Sequence, residues 1–150
     1  MKENDGEGFA IVALHCSLIE FLRSMETGKS YINGVVIDSK TQYNRSNNEF
    51  RDFLTSATPF RAMFAGSDEA LDFYTSVRCG LLHEARTKGP WLIKVDPGAS
   101  QAIDSTNKII YRNAMQRAFD AFIEDYGMRL GACTDLQDAF IRRFEALCSP

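Results

Sequence analysis

Apolar side chains recur every three or four residues along most of this chain, and that period limits the folds open to it. Phe73, Val77 and Leu81 mark one such run, and Phe50, Phe53, Leu54 and Ala57 another. Spacing of this kind gathers side chains on one face of an α-helix, whereas a half-buried strand needs strict alternation. A first helix is predicted from about Gly8 to Thr27, burying Ala10, Ala13, Leu14, Ser17, Leu18, Phe21, Leu22 and Met25, with Gly28 as its stop. A second begins near Ser46 and ends at Pro59. A third takes Ser67 as N-cap, places Asp68 and Glu69 where they suit the helix dipole, and breaks at Gly89-Pro90. Another starts after Asn113 and carries Met115, Phe119, Phe122, Ile123 and Tyr126. The last opens at the capping box Thr134-Asp135-Leu136-Gln137 and buries Leu136, Phe140, Phe144 and Leu147.

Two segments depart from that period. Val35-Val36-Ile37 reads as a short strand or an ordered loop between Lys29 and Asn44. Trp91–Val95 and Lys108–Tyr111 read as two short strands around the turn Asp96-Pro97-Gly98. The expected fold is mainly α: an up-down helical bundle with a small β-hairpin insertion, residues 1–150 forming one domain. With 150 residues and 45% hydrophobic content, the chain can bury a good core without splitting.

No uninterrupted apolar run approaches the roughly 18 residues a membrane span needs, so no membrane partner is expected. The acidic start, Met1 to Glu7, lacks a signal peptide's apolar centre and reads as a frayed tail on a cytoplasmic protein. Cysteines at 16, 79, 133 and 148 have no C-x-x-C spacing and no clustered His, which argues against a zinc site, and no metal or cofactor is expected. Cys16 and Cys79 read as buried thiols.

Chemistry is concentrated at Arg78 and His83. A permanently charged guanidinium can hold a phosphate through charge-assisted bonds, and an imidazole can move a proton near neutral pH. On a regular helix, positions five apart point about 140° away from each other. The two converge only if the helix distorts or ends near His83, or if two such helices meet across a dimer. Cys79 and Gly80 are small enough to admit a close neighbour, and a glycine inside a helix invites a packing reason. Glu20 is either a partner that orients Arg78 or an ordinary exposed Glu. Glu84 follows His83 but diverges from it on a helix. Arg86 and Lys88 complement the helix dipole and are secondary candidates for phosphate contact. His15, beside Cys16, reads as a packed or surface histidine rather than a ligand.

The run Tyr74-x-x-Val77-Arg78-Cys79-Gly80-Leu81-Leu82-His83-Glu84 resembles the signature segment of HEPN domains, whose hallmark is Arg, four to six residues, then His. The stretch from Val12 to Leu22 is similar to their first long helix. Ile110-Tyr111-Arg112-Asn113 leading into Phe119, Phe122 and Tyr126 is similar to their closing helix. The resemblance implies an all-α domain that homodimerises, bringing two Arg/His pairs into one cleft. It implies metal-independent RNA cleavage without a cofactor, in a toxin–antitoxin or defence setting with a cognate antitoxin as partner. Other members of the family are inactive or only bind nucleotides. Cys79 stands where the catalytic subset carries a polar residue. The resemblance therefore admits two functions, an RNA endonuclease using Arg78 and His83, or a non-catalytic dimerisation or nucleotide-binding module.

A net charge of −3 restricts either one. General nucleic-acid binders present a basic face, because neutralising phosphates supplies most of their non-specific affinity. Here the basic residues are scattered, so RNA would be met at a local pocket rather than along a wrapped surface.

Overall fold

The longest apolar stretch becomes the central helix. The computed structural model describes residues 7–149, and α1 runs Glu7–Thr27. Then come β1 (Ser30–Tyr31), β2 (Gln42–Tyr43), α2 (Ser46–Ser56), a 3₁₀ turn (Phe60–Met63) and α3 (Ser67–Phe73). A π turn (Tyr74–Arg78) leads straight into α4 (Cys79–Glu84). After β3 (Leu92–Lys94), β4 (Ile103–Asp104) and β5 (Ile109–Tyr111) come α5 (Arg112–Ala132) and α6 (Thr134–Cys148). The chain is mainly helical, and α1 is packed by α2, α4, α5 and α6. The tail expected at 1–7 lies outside the described residues except for Glu7, which already belongs to α1.

The core is aromatic. Phe50, Phe53, Phe60, Phe73, Phe119 and Phe122 are fully buried, with ring centroids 4.9 Å apart for Phe53–Phe122 and 5.0 Å for Phe60–Phe119. Truncating any one of them to Ala would cost about 3–5 kcal/mol. Trp91 joins this cluster edge-on to Phe73, and its buried indole N–H donates to Asp72 Oδ2 at 3.0 Å. Lys108 and Ser76 donate to the same carboxylate. Burial pushes the Asp72 carboxyl up, but these three donors outweigh it and hold it below its ordinary value. The motif helix is tied in this way to the sheet behind it.

Four expectations are corrected. First, α1 buries Val12, His15, Cys16, Ile19, Leu22, Ser24 and Met25, while Leu14 is 71% exposed and Phe21 is exposed too. The helix has apolar residues on nearly every side, so periodicity could not choose a face. By length and composition it would also pass for a membrane span. His15 and Ser24 turn inward with one partner each, His15 Nε2 with Gln116 Oε1 at 3.1 Å and the Ser24 hydroxyl donating to the Phe21 carbonyl at 2.7 Å, while His15 Nδ1 is buried without a partner among the described residues.

Second, the two expected strands do not form a hairpin. β3 and β5 pair in parallel, Leu92 against Ile109, and the hairpin is β4–β5, Ile103 against Ile110. The tight turn lies at 104–108, where Asp104 accepts the Asn107 N–H at 2.9 Å and Lys108 takes φ 59°. The Asp96 turn does form, with the Gly98 N–H on Asp96 Oδ1, but it opens the crossover from β3 to β4.

Third, α6 buries only Ala139. Leu136 and Phe140 are half-buried, and Phe144 and Leu147 are exposed. Arginines, more than an apolar face, dock it. Arg142 donates to the Gly28 and Thr27 carbonyls at the end of α1, and Arg143 to Ser24 Oγ and Ser30 Oγ. A Cβ at Gly28, which has φ +67°, would lie 2.5 Å from Arg142 Nη2, so that end of α1 requires glycine. The expected capping box is not made, because no side chain caps α6.

Fourth, the motif helix is neither regular nor as long as predicted. The Cys79 N–H bonds the Tyr74 carbonyl five residues back, and α4 ends at Glu84, with Ala85 in the left-handed region at φ 54°. Gly89-Pro90 therefore lies beyond the break rather than causing it. At the other end Gly66, not Ser67, occupies the cap position.

Candidate functional site

The apolar period of α3 and α4 fixes the motif segment from behind. Phe73 and Val77 are fully buried and Leu81 nearly so, as their spacing predicts. With that face committed to the core, Arg78 is turned toward α1. The π turn adds one residue per turn where it occurs, a device frequent at functional sites.

Arg78 meets Glu20 of α1. Its Nε and Nη2 both approach Glu20 Oε1, each at 2.8 Å, and the two side chains are 21% and 19% exposed. Tyr74, one turn earlier, lays its ring 5.3 Å from the guanidinium carbon. Burial alone would lower the arginine's proton affinity; Glu20 and Tyr74 more than reverse that, and it stays charged. Nη1 makes no hydrogen bond or ion pair among the described residues. Arg78 also lines a groove of about 350 Å³, together with Ala10, Ala13, Leu14, Cys16, Ser17 and Leu82. Leu14 and Leu82 are 71% and 62% exposed. Cys16, on the groove wall, is buried, and that burial pushes its thiol well above the ordinary range, so it is an inert wall rather than a nucleophile.

His83 does not join Arg78. The helix distorts and ends nearby, as convergence would require, yet the imidazole stays exposed and makes no hydrogen bond or ion pair among the described residues. Glu84 turns away from it and pairs with Arg86 at 3.1 Å and Lys88 at 2.9 Å on the surface. Those two cations, expected as phosphate contacts, are therefore engaged by a neighbouring carboxylate. Cys79 is half-buried.

Gly80 has a local explanation. A Cβ there would sit 2.5 Å from the Arg86 carbonyl oxygen, because residues 85–88 fold back over α4 and the Lys88 N–H reaches the Ser76 carbonyl at 2.7 Å. The small residue serves the chain's own return and not a neighbouring helix.

Three side chains around Arg78 carried no assigned site role in the sequence. Tyr74 lies four residues before Arg78, a spacing that could have marked it as a stacking partner. The exposure of Leu14 had no local signal, since it follows from the choice of face on α1, and Leu82 is exposed because its neighbour Leu81 faces the core. Among the described residues no group of three or more His, Cys, Asp or Glu could hold a metal ion. The chain matches no family model, and neither a curated protein nor a solved structure is detectably similar to it.

Proposed function

We propose that this chain is a subunit of a HEPN-like RNA endonuclease that works without a metal. The observation that carries the reading is Arg78: a guanidinium fixed on one edge by Glu20 and on one face by Tyr74, in a residue that lines an open groove. An arginine held in advance loses little freedom on meeting a phosphate, and it is placed to receive charge as it develops. In the reaction, the 2′-oxygen attacks phosphorus, the P–O5′ bond breaks, and a 2′,3′-cyclic phosphate remains. One His83 takes the 2′-hydroxyl proton and another delivers a proton to the leaving 5′-oxygen.

Two histidines imply two copies of the chain. His83 and Arg78 diverge within one copy, so the proposed site assembles across a two-fold axis, where one patch serves both subunits. Leu14 and Leu82, exposed around Arg78, are suited to that contact. The same reading places the enzyme in the cytoplasm and leaves room for a cognate antitoxin covering the groove.

In an EDTA-containing buffer, purified protein should cut single-stranded RNA and leave 2′,3′-cyclic ends. His83→Ala should lower the rate about 100-fold or more. Equal inertness of wild type and His83→Ala on a broad RNA panel would end the nuclease reading. One observation then favours the second reading, a non-catalytic dimerisation or nucleotide-binding module. The lining of the groove is largely apolar, and Arg78 is already neutralised by Glu20, as suits an interface anchor.

A further inference from the structure

A second cavity opens against the last two turns of α1. It has a volume of about 330 Å³ and is lined by Arg23 and Glu26 of α1, Thr58 and Arg61 from the segment after α2, and Asp125 and Arg129 of α5. Three of these residues are arginines, and they reach the one cavity from three separate elements. Arg78 and His83 do not line it, so it is distinct from the groove of the proposed nuclease.

Two of the arginines are held in advance. Glu26 bridges them: its Oε1 accepts from Arg129 Nη2 at 3.0 Å, and its Oε2 lies 3.6 Å from Arg23 Nη1. Arg129 Nε donates to Asp125 Oδ2 at 2.7 Å, and its guanidinium carbon lies 5.9 and 5.6 Å from the ring centroids of Phe122 and Tyr126. Arg23 Nε donates to Glu49 Oε2 of α2 at 3.3 Å. A guanidinium has five N–H donors, and these contacts use only some of them, so both arginines keep donors to give. Arg61 differs. Its backbone N–H is anchored on the Ala57 carbonyl at 2.9 Å, but its side chain makes no hydrogen bond or ion pair among the described residues, and neither does the Thr58 hydroxyl. A clamp between α1, α2 and α5 accounts for Arg23 and Arg129. It leaves Arg61 and the cavity unexplained.

We infer that this cavity binds a phosphomonoester, with Arg61 as the cation that captures it and Arg23 and Arg129 as donors already in place. Glu26, Glu49 and Asp125 equal the three arginines in number and are all committed to Arg23 and Arg129, so the anion is met by aimed donors at short range rather than by a broad positive field. A phosphomonoester presents three terminal oxygens, which suit guanidiniums arriving from three elements, whereas a carboxylate is matched by a single fork. The volume falls within the range of small-molecule sites, about 300–1,000 Å³.

The test is an NMR titration of the whole chain with inorganic phosphate at constant ionic strength, sodium chloride making up the balance. The backbone amides of Thr58 and Arg61 should shift saturably with phosphate and not with acetate. Arg61→Ala, an exposed change that spares the Glu26 network, should weaken binding about tenfold or more. Arg86→Ala, which removes an arginine 71% exposed elsewhere, should bind as wild type. A wild type with no saturable shift overturns the inference. So does an Arg61→Ala that binds as tightly as wild type, an Arg86→Ala that loses as much, or acetate that binds as well as phosphate. Competition then identifies the source of the phosphate. Displacement by 5′-phosphorylated 2′-O-methyl tetrauridylate, and not by its 5′-hydroxyl form, supports the site as one for a nucleic-acid end. Displacement by glycerol 3-phosphate and by neither oligonucleotide supports it as one for a small phosphorylated ligand. Equal displacement by both oligonucleotides shows a phosphodiester site and overturns the inference.

Discussion

Arg78 and Arg86 sit eight residues apart, and each meets a glutamate at close range, yet they belong to different kinds of surface. The Arg78–Glu20 pair joins two helices, lies four-fifths buried, and carries a tyrosine ring on one side. The Arg86–Glu84 pair is local, and the Arg86 side chain is 71% exposed. Water and salt screen the second and leave the first largely unscreened. Distance alone does not rank ion pairs; what ranks them is whether both partners are fixed by structure that would have to move to release them. The same helix makes the point with leucines, since Leu81 faces the core and Leu82 the solvent.

The largest effect that would break this comparison is on the apolar side. Leu81→Ala should cost about 2–5 kcal/mol in a chemical melt, and Leu82→Ala within about 0.5 kcal/mol of nothing. Similar losses from both would mean that Leu82 is covered in solution. Gly80→Ala comes next, because its methyl would meet the Arg86 carbonyl. About 1–3 kcal/mol should be lost as residues 85–88 are displaced. A variant as stable as wild type would show that the return over α4 does not need glycine.

The ion pairs themselves should differ by less. Glu20→Ala leaves a partly buried guanidinium without its carboxylate and should cost about 1–3 kcal/mol. Glu84→Ala should leave the melting curve close to that of wild type, as loss of an exposed pair does. Equal costs would contradict the ranking given to the two.

The smallest effect concerns the buried histidine. Burial is the main influence on His15 and lowers its pKa from 6.5, against the raising effects of Gln116 and Asp120. The folded state therefore prefers neutral imidazole. The stabilisation is fully present above pH 6.5 and is lost as pH falls through that value toward the lowered one. His15→Gln should remove this acid sensitivity from the melting curve. If the slope between neutral and mildly acid pH is the same in both proteins, the buried ring is not its source.

Helix existence was legible from residue spacing, as was the burial of Phe73, Val77 and Leu81. The face of α1 was not, since Leu14 and Val12 are equally apolar and only the docking of α2, α5 and α6 chooses between them. Pairing between β3 and β5 was hidden because it crosses β4, and short strands carry no record of their neighbours. Arg78 was singled out from its type and context, and its pairing with Glu20 stood as one of two open readings, resting on the family resemblance. The isolation of His83 follows from about 100° of rotation per residue, a geometry visible in advance that the π turn does not overcome.

The comparison between the two arginines also poses the decisive functional question, which is whether the held guanidinium serves the groove or only the fold. Single-turnover cleavage of single-stranded RNA in EDTA, with Arg78→Ala and Arg86→Ala compared side by side and folding verified by melts, answers it directly. Removing the charge that faces the phosphate should slow cleavage about 100-fold or more, while Arg86→Ala should stay within about twofold of wild type. A folded Arg78→Ala that cuts at the wild-type rate, or an Arg86→Ala that loses as much, would contradict the account.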